Sequence, residues 1–342
     1  MIAMSVLVAT HDLCWLHDPG DGHPERPDRL SAVKKGILAA GVDEGLRWIE
    51  ATDAERSIVE RVHPASVIDE LIFRCAHGPL AIDPDTRVSA ESARAAFKAA
   101  GAGVDLIAAL DKGEADVGWS MVRPPGHHAL PSRQMGFCLL NNVAVAARLL
   151  ADRGERVAIV DIDAHHGNGT QEIFYDDPKV LFVSLHQYPW YPYTGTADEV
   201  GEGEGRGFNV NVPLPAGATG EAFRLAFDQI VMPVVDRFAP TWLLISAGFD
   251  GHRNDPLTEL ELSSADYADL VAELLPTVPP GQRLIFLEGG YELQALVDCG
   301  GSVMASSVAE QYRPEDPTAG GPGADIVEMV RRIHLDGGAG DC

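Results

Sequence analysis

Short runs of Val, Ile and Leu alternate with amphipathic stretches along most of the chain. Val157-Ala-Ile-Val160, Val180-Leu-Phe-Val183, Trp242-Leu-Leu-Ile245 and Leu284-Ile-Phe-Leu287 are continuous apolar runs, the pattern of strands buried on both faces. Helical spacing of apolar positions covers Asn141–Ala151, Gly220–Phe238 and Ser263–Leu275, and Pro27 ahead of Gly41 brackets one more helix. The first ten residues, Met1–Thr10, are apolar but lack a basic stretch, so they predict a buried first strand rather than a signal peptide. Strand–helix alternation of this kind predicts an α/β protein with a mostly parallel central sheet and helices on both faces. No fixed-period repeat is visible and no Pro/Gly linker divides the middle of the chain. The expectation is one domain with its core at about residues 5–310. The Gly/Pro-rich stretch from Pro314 to Ala324 then opens a loosely ordered segment, about 314–342.

In an open parallel sheet, functional groups gather just past the carboxyl ends of the strands. Four polar clusters follow strand-like runs: Arg123-Pro-Pro-Gly-His127-His128, Asp161-Ile-Asp163-Ala-His165-His166-Gly-Asn168, Ser246-Ala-Gly-Phe-Asp250 and Glu288-Gly-Gly-Tyr291. Asp163 and His165 are two residues apart, so on an extended strand end both side chains point the same way. With Asp250 from a neighbouring strand they make a three-ligand set that leaves a coordination position open, as catalytic zinc sites do. One imidazole with two carboxylates also matches the facial triad of non-haem iron enzymes, so Fe2+ stays open beside Zn2+. Metal-assisted hydrolysis needs a base for the attacking water and an acid for the departing group. The tandem His127-His128 supplies two imidazoles: Asp161 can accept from one and favour its cation, Asn168 can accept from the other without adding charge, and the two pKa values separate. The Tyr291 hydroxyl can stabilise a developing oxyanion.

Composition narrows the classes. With 51 acidic against 26 basic residues, the net charge of −25 argues against a nucleic-acid-binding surface and favours cationic substrates. No apolar run is long enough to span a membrane, and with no signal peptide the expected location is cytoplasmic. The five cysteines, Cys14, Cys75, Cys138, Cys299 and Cys342, form no C-x-x-C pair, so neither a disulfide framework nor a thiolate zinc site is expected.

Taken together, His23-Pro-Glu-Arg-Pro27, Arg123 through Ala129, Gly136-Phe-Cys138 with Asn141-Asn142, Asp161 through Gly169, Ser184-Leu-His186, Asp198-Glu-Val-Gly201, Ala247 through Asp250 and Glu288 through Tyr291 resemble, in order, the histone deacetylase and acetylpolyamine amidohydrolase superfamily. The resemblance covers roughly residues 5 to 300. It implies the three-layer arginase/deacetylase-type fold and a zinc-dependent amidohydrolase acting on acyl-lysine or a small acylated amine. Zinc would sit on Asp163, His165 and Asp250, with His128 as general base, His127 as its electrostatic partner and Tyr291 polarising the scissile carbonyl. Gly136 would accept from the substrate amide, and Phe137 and Tyr191 would wall the acyl tunnel. It also implies one or two structural K+ ions, one at Asp161, Asp163, His165, Ser184 and Leu185, a second at Phe174, Asp177, Val180 and Phe208.

Asn168, where class I members carry aspartate, places the chain near class II, and the retained Tyr291 implies an active deacylase. Leu257 stands at the gatekeeper position where the polyamine-selective members carry glutamate, and no narrowing helix precedes His23, which favours acyl-lysine over acetylpolyamine. The acidic surface, with Glu259 and Glu261 near Leu257, leans towards polyamine. A binuclear manganese ureohydrolase would require further bridging carboxylates, and a silent acyl-lysine reader would have lost the tyrosine or a ligand. The acyl chain length, the physiological substrate and whether the chain forms a homo-oligomer are not legible at this level.

Overall fold

The structure, a computed structural model, describes residues 4–336. Its strands are β1 (Val6–Thr10), β2 (Leu46–Glu50), β3 (Leu80–Ala81), β4 (Arg87–Val88), β5 (Val117–Ser120), β6 (Val157–Asp161), β7 (Val180–Gln187), β8 (Asn209–Leu214), β9 (Trp242–Ala247) and β10 (Arg283–Leu287). Eight of them form one sheet in the order β2-β1-β5-β10-β9-β6-β7-β8, and every pairing in it is parallel. β3 and β4 make a separate antiparallel hairpin. β5, β6, β9 and β10 are buried along their whole length, which requires cover on both faces. β2, at the sheet edge, is only partly buried.

Helices Ser92–Leu110 and Asn142–Asp152 pack together against the sheet, while Asp28–Ala39, Ser264–Leu274 and Leu293–Ser307 form a second packed group. Gly36 lets two of these touch backbone to backbone: a Cβ there would lie 2.1 Å from the Val297 carbonyl oxygen. Ser263 caps its helix with a reciprocal capping box to Asp266. The apolar pattern over Gly220–Phe238 becomes two helices, Gly220–Ala226 and Met232–Phe238, joined by a π turn at Phe227–Val231. The turn lies just ahead of Pro233, which has no N–H for the helical ladder.

Two expectations need correcting. β6 stops at Asp161, so Asp163 and His165 lie in a bend beyond the strand and not on an extended strand end. The segment expected to be loose, about 314–342, is instead fastened as far as residue 336, and residues 337–342 lie outside the described residues. The Glu315 carboxylate accepts from His252, Arg253 and the Ser264 amide, and Thr318 bonds Asp266. The helix Ala324–His334 then buries Val327 and Val330 against β8 and the Gly220–Ala226 helix. Its apolar residues recur at helical spacing, which the Gly/Pro stretch before it obscures. Met1–Ala3, part of the expected first strand, and Cys342 lie outside the described residues; Cys14, Cys75, Cys138 and Cys299 are buried and unpaired with one another. No helix among the described residues is long and apolar enough to cross a membrane.

Ending the chain at Pro322 should lower its stability by about 3 kcal/mol, taking roughly 1.5 kcal/mol for each fully buried valine. An unchanged thermal unfolding midpoint would show that the terminal helix adds nothing to the core.

Candidate active site

The strand order explains why four distant segments meet. β5, β10, β9 and β6 are consecutive neighbours in the sheet and run parallel, so the loops after them leave from one edge side by side. Those loops carry His127 and His128, Tyr291, Asp250, and Asp163 through His166, respectively, with Asp161 at the end of β6 and Asn168 at the start of the next helix.

Asp163, His165 and Asp250 are buried, and one candidate ligand atom from each lies within 4.8 Å of the others. His165 Nδ1 faces this point, 2.9 Å from Asp250 Oδ2 and 3.3 Å from Asp163 Oδ1. The other oxygen of each carboxylate is held by backbone: Asp163 Oδ2 accepts from Gly289 N at 2.8 Å and Asp250 Oδ1 from Ala164 N at 2.9 Å. Gly248 and Gly289 make room, since a Cβ on Gly248 would lie 1.8 Å from Asp163 Oδ2 and one on Gly289 2.2 Å from Asp250 Oδ2. Two buried carboxylates aimed at one point demand positive charge there. Burial alone would push the His165 imidazole down, yet Asp250 and Asp163 raise it to about 10. The donor set, two carboxylate oxygens and one imidazole nitrogen, suits zinc or ferrous iron.

The two tandem histidines sit in opposite fields. His127 Nδ1 donates to Asp161 Oδ2 at 2.9 Å, and its ring lies 4.0 Å from that of His128. Burial lowers the His127 pKa, but the Asp163 and Asp161 carboxylates outweigh it and hold the group well above the ordinary imidazole value. His128 Nδ1 lies 2.7 Å from Asn168 Oδ1, which can only accept, so this nitrogen carries the proton and Nε2 presents a lone pair. Burial, with the charges of His127 and His165, depresses His128 well below the ordinary value. Beneath the pair, Glu288 Oε2 accepts from Gly126 N and His127 N, and burial raises its carboxyl to about 7.

A cavity of about 250 Å³ opens onto this chemistry. His128, His165 and Tyr291 line it together with all four residues expected to bind substrate, Gly136, Phe137, Tyr191 and Leu257. Phe137 meets Tyr291 edge-on at 5.7 Å, and Tyr191 meets His128 edge-on at 5.3 Å. Gly136 has φ +57°, and a Cβ there would strike the His128 ring at 2.4 Å, so the position requires glycine. Burial and the Asp250 charge keep the Tyr291 phenol well above its ordinary value, against the lowering effect of Arg29, whose guanidinium stacks 5.0 Å from the ring centroid.

Of the residues expected to hold monovalent cations, Asp161 and Ser184 are direct partners across β6 and β7, with Leu185 next along β7. Phe174, Asp177 and Val180 share one turn, in which Phe174 O accepts from Asp177 N and Asp177 O from Val180 N, while Phe208 O accepts from Phe182 N across the β7–β8 edge.

Several residues at or beneath the cavity have no role assigned from the sequence alone. Asp85, Trp190 and Tyr193 also line the cavity. Glu25, fully buried, pairs with both Arg29 and Arg123 and lies 3.3 Å from His17. Arg29 reaches on to donate to the carbonyls of Glu288 and Gly290 on either side of Gly289. The His-Pro-Glu-Arg-Pro string was the available signal for this support.

The comparisons agree with this geometry. Residues 23–307 match the model described as the histone deacetylase domain. Histone deacetylase 15 of Arabidopsis thaliana is 40% identical over 323 residues, 92% of this chain but only 58% of that longer protein. A probable deacetylase of Archaeoglobus fulgidus is 37% identical over 348 residues, covering 96% of this chain and 97% of its own length. A crystal structure of the HDA15 HD domain superposes with a TM-score of 0.90 at 37% identity, covering 98% of this chain and 95% of that one. The eight-stranded parallel sheet, the cluster at its carboxyl edge and these matches identify the chain as a member of the histone deacetylase family, with its α/β arginase/deacetylase-like fold.

Proposed function

We propose that the chain is a zinc-dependent deacylase that hydrolyses the acyl amide of an acyl-lysine side chain. The observation that carries this reading is the single cavity lined at once by His165 of the ligand cluster, by His128 and Tyr291, and by the apolar walls Phe137, Tyr191 and Leu257. A zinc ion held by Asp163, His165 and Asp250 would supply Lewis acidity, polarising the carbonyl and acidifying a water. His128, neutral and with Nε2 free, takes the proton from the attacking water and can return it to the departing amine. Cationic His127, fixed by Asp161, adds positive charge beside it. The Tyr291 phenol stays protonated and donates to the carbonyl oxygen as charge builds. The Gly136 carbonyl accepts the substrate N–H. Monovalent cations at the Asp161–Ser184–Leu185 set and at the Phe174–Asp177–Val180–Phe208 set would further neutralise the carboxyl edge.

Leu257, an apolar residue at the cavity lining, favours an acyl-lysine peptide; Asp85, also at the lining, favours a cationic amine such as an acetylated polyamine. Turnover of acetyl-lysine peptide, longer acyl-lysine peptides and acetylated spermidine side by side separates the two. Absence of turnover on all of them with zinc fully loaded would refute deacylation.

Three outcomes are expected. Tyr291→Phe should keep its zinc yet lose about 10²–10³-fold in kcat, the scale of one oxyanion donor; near-normal kcat removes Tyr291 from the chemistry. Asp250→Asn should weaken metal binding by more than about 100-fold, beyond the loss typical of outer-sphere changes; unchanged metal content after dialysis means the third ligand lies elsewhere. Asn168→Asp places a carboxylate on His128 Nδ1 and raises its pKa. Because the neutral imidazole is the working base, the acid limb of kcat/KM must move to higher pH. A limb that stays put, or moves down, would contradict the assignment of His128 as base.

A further inference from the structure

Tyr291 follows Gly289 and Gly290, and Gly290 sits at φ +110°, a conformation open to glycine and strained for other residues. Such a backbone does not stiffen itself, so the place of the phenol must be fixed from outside. One side is held by Arg29, which donates to Gly290 O and Glu288 O and lies against the Tyr291 ring. The other side is held by Asp255, a buried carboxylate without a role so far. Its Oδ2 accepts from Tyr291 N at 2.6 Å and from Glu292 N at 3.2 Å. Its Oδ1 accepts from Leu257 N at 3.0 Å. The Leu257 carbonyl in turn accepts from Trp190 Nε1 at 2.9 Å. Leu257, Trp190 and Tyr291 line the same cavity from three different loops.

We infer that Asp255 is a positioning residue for catalysis, its two oxygens tying the backbone of Tyr291 to that of Leu257 so that the oxyanion donor and the tunnel wall keep one spacing. The inference rests on the deacylase reading above. The geometry uses both carboxyl oxygens as acceptors, one for the Tyr291 and Glu292 amides and the other for the Leu257 amide. An asparagine keeps the shape but turns an NH2 group towards one of them, releasing either the Tyr291 loop or the Leu257 turn.

The test is a double-substitution cycle on the metal-loaded enzyme, using acetyl-lysine peptide. Asp255→Asn should lower kcat by about 10- to 100-fold, the scale of a displacement near 1 Å at a reacting group, with KM and metal content little changed. The same substitution in a Tyr291→Phe background should leave kcat nearly unchanged, because the donor it positions is already gone. An equal proportional loss in both backgrounds, or a loss confined to KM, overturns the proposal and leaves the deacylase reading intact. Amide hydrogen exchange on the wild-type protein gives a check independent of turnover and of whether the variant folds. The Leu257, Tyr291 and Glu292 amides should be protected, and if they exchange at the rate of free loop amides the clamp is not formed.

Discussion

Five carboxylates, those of Asp161, Asp163, Asp250, Asp255 and Glu288, are buried at the carboxyl edge of one sheet. Burying negative charge is expensive unless each oxygen has a donor or a cation. Much of the local architecture answers that constraint. Backbone amides of Gly126, His127, Ala164, Gly289, Tyr291 and Glu292 each point at one of these carboxylates. Such amides reach a carboxylate only where the main chain comes close, which is why glycines border the cluster. A Cβ on Gly167 would lie 2.3 Å from Asp161 Oδ2, just as one on Gly248 would strike Asp163. What the amides leave unsatisfied falls on His127, and at the point shared by Asp163, His165 and Asp250 it would fall on a metal ion held there.

The parallel sheet makes this concentration of charge reachable. Antiparallel neighbours would send alternate loops to opposite edges; here β5, β10, β9 and β6 deliver every loop to the same edge. Helices pack on the sheet behind them, and the Glu25 pair with Arg29 and Arg123 links the helix Asp28–Ala39 directly to the Gly-Gly-Tyr turn. A buried ion pair with two arginines is weak as a source of net stability. Its evident service is geometric: Arg29 spans from Glu25 to the carbonyls beside Gly289 and to the face of Tyr291.

Continuous apolar runs made β6, β7, β9 and β10 readable in the sequence, because strands buried on both faces carry no polar alternation. β8 escaped for the opposite reason. Its Asn209 and Asn211 are buried yet polar, and both amides donate to Gln171 Oε1 in a network no local pattern announces. The edge strand β2, Leu46-Arg-Trp-Ile-Glu50, is half-exposed and mixed in character. At the site, the side chains proposed to act on substrate or metal stand in recognisable strings. Asp255 and Arg29 did not disclose their roles, since their partners are main-chain groups 36 and 261 positions away and main chain has no sequence signature. Asp163 and His165 were expected to face one way from a strand end, a local geometry the structure does not adopt. They converge because Asp163 accepts the His165 amide within a bend, and not because a strand alternates.

The same charge constraint accounts for the unlike partners of the two tandem histidines. His127 lies against Asp161, so its cation offsets part of the buried negative charge. A second carboxylate at position 168 would enlarge that charge and raise the pKa of His128 as well, next to a cationic ring only 4.0 Å away. An amide at Asn168 fixes the same Nδ1–H tautomer without adding charge, and burial beside cationic His127 then holds His128 neutral. One cationic and one neutral imidazole, side by side in the same low-dielectric pocket, therefore follow from a single atom's difference between the residues that hold them.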